Sequence, residues 1–529
     1  MCGERMLVQT ILERPARDRP DKPAAWFNGV WKTYGELNRQ ADQVAAFFVA
    51  LGIKPGERVA ILLENSFDYI AAHFGALKAG AVEVSLNTEL SADGLKQLLL
   101  DCEAQVLIAG NKFSKQWTGI IADLPQLKHL VLDQDLKRVT QETSPVPLHF
   151  LSKVYQSEVV APIKVTRIDL DLASLIYTSG STGEPKGVML SHLNLTSNTQ
   201  SIVEYLGLRE SDRMMVVLPF YYVYGRSLLY SHFLSCGSLV IDNRFAFPVT
   251  VLNNMRDLAV TAFAGVPSTF SILLKKTDLK SRQFPQLRFV TQAGGGMATS
   301  LQKEVMDVFN PAKLFVMYGS TEASPRLTYV EPEKLPEKWG SIGRAIPNVE
   351  VAVLDESGNR LPSGTQGEIA ARGLNIMMGY WKSPAATAEV LKYGYYYTGD
   401  LGYEDSDGYI FLTGRARDII KAGGNRISAK EIEDVVLEIS GVLETAVIGV
   451  PDDLLGEAIK VFAVRCRATL TEDEVKSHLQ RRLPSFKHPK WVEFLEELPK
   501  NQSGKILKAV LRQTITNSQL SPAQTLQIN

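Results

Sequence analysis

The sequence predicts an α/β protein with mainly parallel sheets, and two observations carry that prediction. Strand-like and helix-like segments alternate through the first part of the chain, and 529 residues exceed what one compact core accommodates. Residues 58–63 read as a strand and 67–78 as a helix; 81–86 form the next strand, 92–100 the next helix, and 105–109 resume the sheet. Residues 261–267 and 287–291 continue the pattern. Between about 340 and 400 the texture changes to short β-rich pieces such as 349–354, separated by Gly and Pro turns, as in a small β subdomain. From about Arg415 a compact α+β segment follows, with a helix that includes 429–433 and a strand at 444–448. The polar residues after Thr514 are expected to be frayed.

Composition excludes several classes of function. The balance of 57 basic against 58 acidic residues leaves a formal charge of −1, which argues against a general polyanion binder and gives no electrostatic case for a membrane surface. No apolar run reaches the length of a membrane span; the stretch from Ala71 is interrupted by His73 and Lys78. The start, Met1-Cys2-Gly3-Glu4-Arg5-Met6, lacks the basic-then-apolar layout of a signal peptide. The four cysteines are scattered without metal-ligand or redox spacing, so free thiols in a reducing, cytoplasmic setting are expected.

The run Tyr177-Thr178-Ser179-Gly180-Ser181-Thr182-Gly183-Glu184-Pro185-Lys186-Gly187 is the most informative stretch. Residues 172–177 before it read as a buried strand, and Val188-Met189-Leu190 as the start of another. Glycine lets such a loop bare its backbone N–H groups, and hydroxyls with an ammonium beside them make a cradle for phosphate. It is not a Walker A loop, because Lys186 is followed by Gly187-Val188 rather than by Ser or Thr opening a helix. Five more segments stand out. Tyr318-Gly319-Ser320-Thr321-Glu322 follows a strand-like 314–317, and Tyr397-Thr398-Gly399-Asp400 places a carboxylate in a turn. Gly414-Arg415-Ala416-Arg417-Asp418 precedes Ala422-Gly423-Gly424-Asn425-Arg426, and Ser503-Gly504-Lys505 lies near the C-terminus.

In this order the segments closely resemble the adenylate-forming superfamily, which includes acyl-CoA synthetases, adenylation domains and beetle luciferases. The resemblance runs over essentially the whole chain. It implies a large multi-subdomain N-terminal domain, two α/β sheet layers plus the small β subdomain, over residues 1–416. A small mobile α+β domain over 417–529 would carry a catalytic lysine. It also implies ATP and Mg²⁺, a carboxylic acid converted to an acyl-adenylate with release of pyrophosphate, and transfer to a thiol, most simply that of CoA. The alternatives are a carrier-protein phosphopantetheine or an amine as acceptor. The barrier to the first step is electrostatic, since a carboxylate must approach an anionic α-phosphate.

By the same resemblance, Thr178, Ser179, Gly180, Ser181, Thr182, Gly183 and Lys186 hold the β- and γ-phosphates. Glu322 ligates Mg²⁺ as a hard oxygen donor, and Thr321 donates to the α-phosphate. Tyr318 and Gly319 with Gly295, Gly296 and Met297 enclose adenine, while Asp400 and Arg415 take the ribose. Lys505 neutralises the α-phosphate and the attacking carboxylate together. Arg417 is the hinge, where relatives usually carry Asp or Lys. Gly424 approaches the pantetheine arm and Arg426 reaches phosphate. The aromatic run from Leu218 to Gly225 resembles the family's acyl-pocket motif, with Tyr222 where most acyl-CoA synthetases have histidine. Tyr222, Val223, Gly265, Met317, Gly319 and Ala323 line that pocket, with Ser324 beside them. No aspartate between Phe220 and Gly225 pairs a substrate ammonium, which favours an uncharged organic acid over an α-amino acid. His192 matches a common family feature and reads equally well as a structural histidine at a helix start.

Overall fold

A computed structural model describes residues 7–134, 144–158, 166–179, 185–415, 418–452, 454–500 and 506–519. Three sheets organise the chain. The first has eight strands, in the order Gly379–Tyr380, Pro185–Ser191, Leu172–Ser179, Val82–Ser85, Arg58–Leu62, Ala104–Ala109, His129–Leu132 and Leu148–Phe150. Its pairings are parallel from Leu172–Ser179 onward and antiparallel only at the end carrying Pro185–Ser191 and Gly379–Tyr380. Ala104–Ala109 and Val82–Ser85 are buried at every residue, as a parallel sheet covered on both faces requires.

The second sheet has fourteen strands. Its parallel part places Lys313–Tyr318, Phe289–Gln292, Ala262–Gly265, Arg213–Val216, Ser238–Ile241 and Pro23–Phe27 side by side. The β-rich region expected as a small subdomain of the N-terminal domain joins this sheet edge to edge, through Thr328–Val330 paired with Ser341–Ala345. Between the two sheets one core cluster joins Val59, Ile61 and Val106 to Met214, Leu239 and Ala262. The helices Tyr34–Ala50, Phe67–Lys78 and Val223–Leu234 run through it. Ser66 opens the helix Phe67–Lys78 by accepting from the Tyr69 amide, and every residue from Tyr69 to Lys78 is buried.

A charged network crosses this interior. Arg226 on Val223–Leu234 donates to Glu83 of Val82–Ser85 at 2.9 Å, with side chains 1% and 0% exposed. Ser174 donates to Glu83 at 2.8 Å, and Arg226 Nε donates to the Phe220 carbonyl at 3.1 Å. Burial alone would raise the Glu83 pKa; the Arg226 charge overrides it and holds the carboxyl at about 2. The helix that opens at Tyr222–Val223 is thereby tied to the first sheet.

The third sheet forms the smaller C-terminal domain, in the order Asn425–Ser428, Ile419–Ala422, Gly456–Arg465 and Val442–Asp452, with Trp491–Leu495 parallel to Gly456–Arg465. Its own core includes Ile420, Ile427, Ile432, Val447 and Val461. Two expectations are corrected. Asp400 lies inside the strand Tyr395–Glu404 rather than in a turn; Gly399 at φ +74° and a register shift after Leu401 let the strand kink without ending. Residues 515–519, expected to be frayed, continue the helix Lys508–Gln519, whose Leu511 packs into a buried cluster; residues 520–529 lie outside the described residues. Among the described residues no helix is long and apolar enough to cross a membrane. Cys102, Cys236 and Cys466 are free.

Candidate functional site

Several of the expected site residues lie at the carboxyl ends of neighbouring parallel strands, where open α/β sheets leave a crevice. Gly265 ends Ala262–Gly265, Gly295–Met297 follow Phe289–Gln292, and Tyr318 ends Lys313–Tyr318. The registers Gly265↔Gln292 and Gln292↔Val316 align these ends. Tyr222 and Val223 follow the next strand, Arg213–Val216. Gln292 donates to the Gly295 carbonyl at 2.7 Å and Gln302 to that of Met297 at 2.8 Å, which fixes the loop between them.

The phosphate-loop segment is a hairpin arm. Leu172–Ser179 pairs antiparallel with Pro185–Ser191, placing Thr178 opposite Lys186. Both lie in strands, so the loop proper is shorter than the sequence implies. Gly180, Ser181, Thr182 and Gly183 lie outside the described residues, as do Arg417, Lys505 and the side chains of Ser179 and Arg426.

Glu322 is the middle residue of the one-turn helix Thr321–Ala323. Its carboxylate accepts from the Tyr380 hydroxyl at 2.9 Å, and the Lys186 ammonium lies over the Tyr380 ring, 5.1 Å from its centre. One phenol therefore joins the hairpin lysine to the candidate metal carboxylate. Tyr380 reaches this place because Gly379–Tyr380 pairs with Val188 and Met189 of the hairpin. Burial and the neighbouring Glu322 charge push the Tyr380 phenol well above its usual range, so it stays a proton donor. The second Glu322 oxygen has no protein donor among the described residues, and no cluster of three or more His, Cys, Asp or Glu there is arranged to hold a metal. That donor set fits a Mg²⁺ ion held by one carboxylate and completed by phosphate and water.

At the other end of the same segment, the Tyr318 hydroxyl donates to Asp400 Oδ2 at 2.6 Å and Arg415 Nε to Oδ1 at 2.8 Å. Asp400 and Arg415 face one another in register on antiparallel strands. Burial would lower the Arg415 pKa, but the Asp400 charge more than offsets it. Each Asp400 oxygen keeps a lone pair for a further donor, as a ribose diol requires. Gly319 is set by close approach: a Cβ there would lie 1.8 Å from the Pro325 carbonyl oxygen. Asn375 anchors the same turn through the Ala323 and Arg326 carbonyls at 3.0 and 2.9 Å.

In the pocket region Tyr222 immediately precedes the helix that begins at Val223 and packs its ring 4.9 Å from that of Tyr221. Met317 is buried and accepts from the Tyr205 hydroxyl at 3.0 Å; Ala323 is fully buried. Gly424 stands at the tip of the hairpin between Ile419–Ala422 and Asn425–Ser428, and no described atom lies within 4 Å of where its Cβ would be. The structure thus joins Lys186 to Glu322 and Tyr318 to Asp400 and Arg415, but brings Gly424 to neither group.

His192 takes the structural reading. Its ring is buried, and Nδ1 accepts from the Val8 amide at 3.1 Å. Burial, then the Arg167 charge, pushes its pKa down to about 4. Stability from the neutral ring is present above the unfolded pKa of about 6.5 and is lost as pH falls toward 4. At pH 5 the expected loss is about 2 kcal/mol relative to pH 7.5. His192→Gln should remove that share of the acid sensitivity, read as the difference between denaturation midpoints at the two pH values; an unchanged difference would contradict it.

The sequence reading passed over Tyr380, Asn375 and Tyr396, whose hydroxyl lies 3.1 Å from Ser320 Oγ. The adjacent aromatics Tyr380-Trp381 after Gly379 were the available signal.

Comparison with known proteins gives the following. The profile of the AMP-binding enzyme family matches residues 12–381, and that of the AMP-binding enzyme C-terminal domain matches 431–505. A long-chain-fatty-acid–CoA ligase of Yersinia pestis is 34% identical over 95% of this chain and 93% of its own. The anthranilate CoA ligase AuaEII, solved with anthranoyl-AMP, superposes with a TM-score of 0.89 at 27% identity, covering 98% of each chain. ATP-bound MatB from Rhodopseudomonas palustris superposes with a TM-score of 0.86 at 29% identity, over 97% of this chain and all of the other.

Proposed function

This chain belongs to the AMP-binding enzyme family, and from that premise we propose that it is an AMP-forming acid–CoA ligase. The observation that carries the reading is Tyr380, with Lys186 over its ring and Glu322 on its hydroxyl, beside a nucleoside clamp of Tyr318, Asp400 and Arg415. ATP is held with its β- and γ-phosphates between the hairpin loop and Lys186, its ribose on Asp400 and Arg415, and adenine between Tyr318 and the Gly295–Met297 loop. Mg²⁺ on Glu322 supplies charge neutralisation of the phosphates. Tyr380 holds Glu322 in place and keeps Lys186 on the phosphate side. Thr321 donates to the α-phosphate, and the acid enters beside Tyr222, Val223, Gly265, Met317 and Ala323. Residues 1–416 bind ATP and acid; residues 417–529 turn about Arg417 between the two half-reactions. Lys505 acts in the first, and Gly424 and Arg426 face CoA in the second. ATP and CoA as co-substrates suit the cytoplasm.

Two experiments test this. Incubation with ATP, CoA and a chemically diverse acid panel should give AMP and an acyl-CoA; transfer only to a carrier phosphopantetheine or an amine would replace CoA as acceptor, and ADP production would overturn the reading. Lys505→Ala should slow adenylation by about a hundredfold or more, the scale of losing one transition-state charge contact. Thioester formation from synthetic acyl-adenylate should change far less; equal loss in both steps would contradict domain rotation.

A further inference from the structure

Among the described residues two arginines lie deep in the interior, and only one has a counter-charge. Arg226 is paired with Glu83. Arg326 is 2% exposed, yet no carboxylate among the described residues pairs with it. Its Nε is buried without a hydrogen-bond partner. The guanidinium lies over the Tyr224 ring, 4.9 Å from its centre, and faces the Tyr205 hydroxyl. A ring face offsets part of the charge but accepts none of the directional N–H bonds. A buried cation left in this condition is costly unless something else completes it.

Its position says what completes it. Arg326 belongs to the same turn as Glu322 and Ala323, and its Cα stands 3.0 Å from where a Gly319 Cβ would be. The Tyr205 hydroxyl it faces donates to Met317, and Tyr224 follows Val223 directly. Its backbone is fixed by Asn198, which accepts from its N–H at 3.3 Å and donates to its carbonyl at 2.9 Å. A guanidinium on a fixed backbone, bonded to the Tyr205 hydroxyl but with its Nε unpartnered and no counter-charge among the described residues, thus stands among the residues assigned to the acyl pocket.

We propose that Arg326 is a specificity-determining residue that receives a second negative charge on the substrate, so that the preferred acid is a dicarboxylic acid. This rests on the ligase reading above. One carboxylate is activated at the α-phosphate while the other takes the Arg326 fork, the geometry in which arginine binds carboxylate best. The uncharged tail expected from the absence of an aspartate at 220–225 is thereby replaced by an anionic one, for which that absence is equally suitable.

The test is acid-dependent pyrophosphate release with straight-chain and aromatic diacids, each beside the monoacid of matched shape. The wild-type protein should favour the best diacid by about tenfold to a hundredfold in kcat/KM, the worth of hydrogen bonds to a charged group. Arg326→Met should bring the ratio close to one, and Arg326→Lys should keep part of it. Protection of each variant against heat by ATP shows that its nucleotide site is formed. The wild-type ratio needs no variant: monoacids preferred over every matched diacid would overturn the proposal while leaving the ligase reading intact. An equal loss on both acids in Arg326→Met would also overturn it. Pyrophosphate release with no acid at all would overturn the ligase reading itself.

Discussion

Glu322→Gln is expected to slow acid-dependent ATP–pyrophosphate exchange by about a hundredfold to a thousandfold, the usual cost of removing one preorganised electrostatic contact to the reacting phosphates. The substitution keeps the shape and the Tyr380 contact but removes the carboxylate charge proposed to hold Mg²⁺. The apparent Mg²⁺ requirement should rise in parallel. Tyr380→Phe removes the hydroxyl alone and should cost about tenfold, because Glu322 loses one hydrogen bond but keeps its charge. A Glu322→Gln protein that exchanges at the wild-type rate would remove Glu322 from the metal and leave it as a partner of Tyr380 only.

The second large effect is on stability. Glu83→Gln leaves the Arg226 charge buried at 1% exposure without a counter-charge, and the expected loss is about 3–5 kcal/mol. Replacing both partners by Leu and Met should recover a substantial part, since no charge is then left buried. Recovery stays incomplete, because Ser174 and the Phe220 carbonyl lose partners as well. Chemical denaturation of the three proteins reads this directly. Equal midpoints for wild type and Glu83→Gln would show that the pair adds little. Because Arg226 stands four residues after Tyr222 and bonds back to Phe220, the single variant should also loosen the acyl pocket and raise KM for the acid more than for ATP.

Much of this was legible in the sequence, for local reasons. The helix Phe67–Lys78 and the strand Val349–Leu354 match their expected limits because hydrophobic period and end signals agree there. The residues proposed to hold the nucleotide stand out in the sequence because glycine, hydroxyl and carboxylate cluster in short runs. What escaped depended on contacts between distant segments. Tyr380 reaches Glu322 and Lys186 because a two-residue strand joins the hairpin edge, a pairing between residues nearly two hundred positions apart that no local pattern carries. Asp400 read as a turn because Gly399 is a turn residue, and only cross-strand pairing to Arg415 shows the strand running through it. Arg326, a charged residue after Pro325, carries no signal in the sequence that singles it out. Its meaning comes from what surrounds it, and from the carboxylate that does not.

The central claim is that the acid is adenylated before any thiol takes part. Acid-dependent exchange of labelled pyrophosphate into ATP, measured without CoA, tests it most directly. The account predicts exchange that requires both acid and Mg²⁺ and proceeds without CoA, with rapid AMP release only once CoA is added. Exchange that appears only in the presence of CoA, or label entering ATP without any acid, would contradict it.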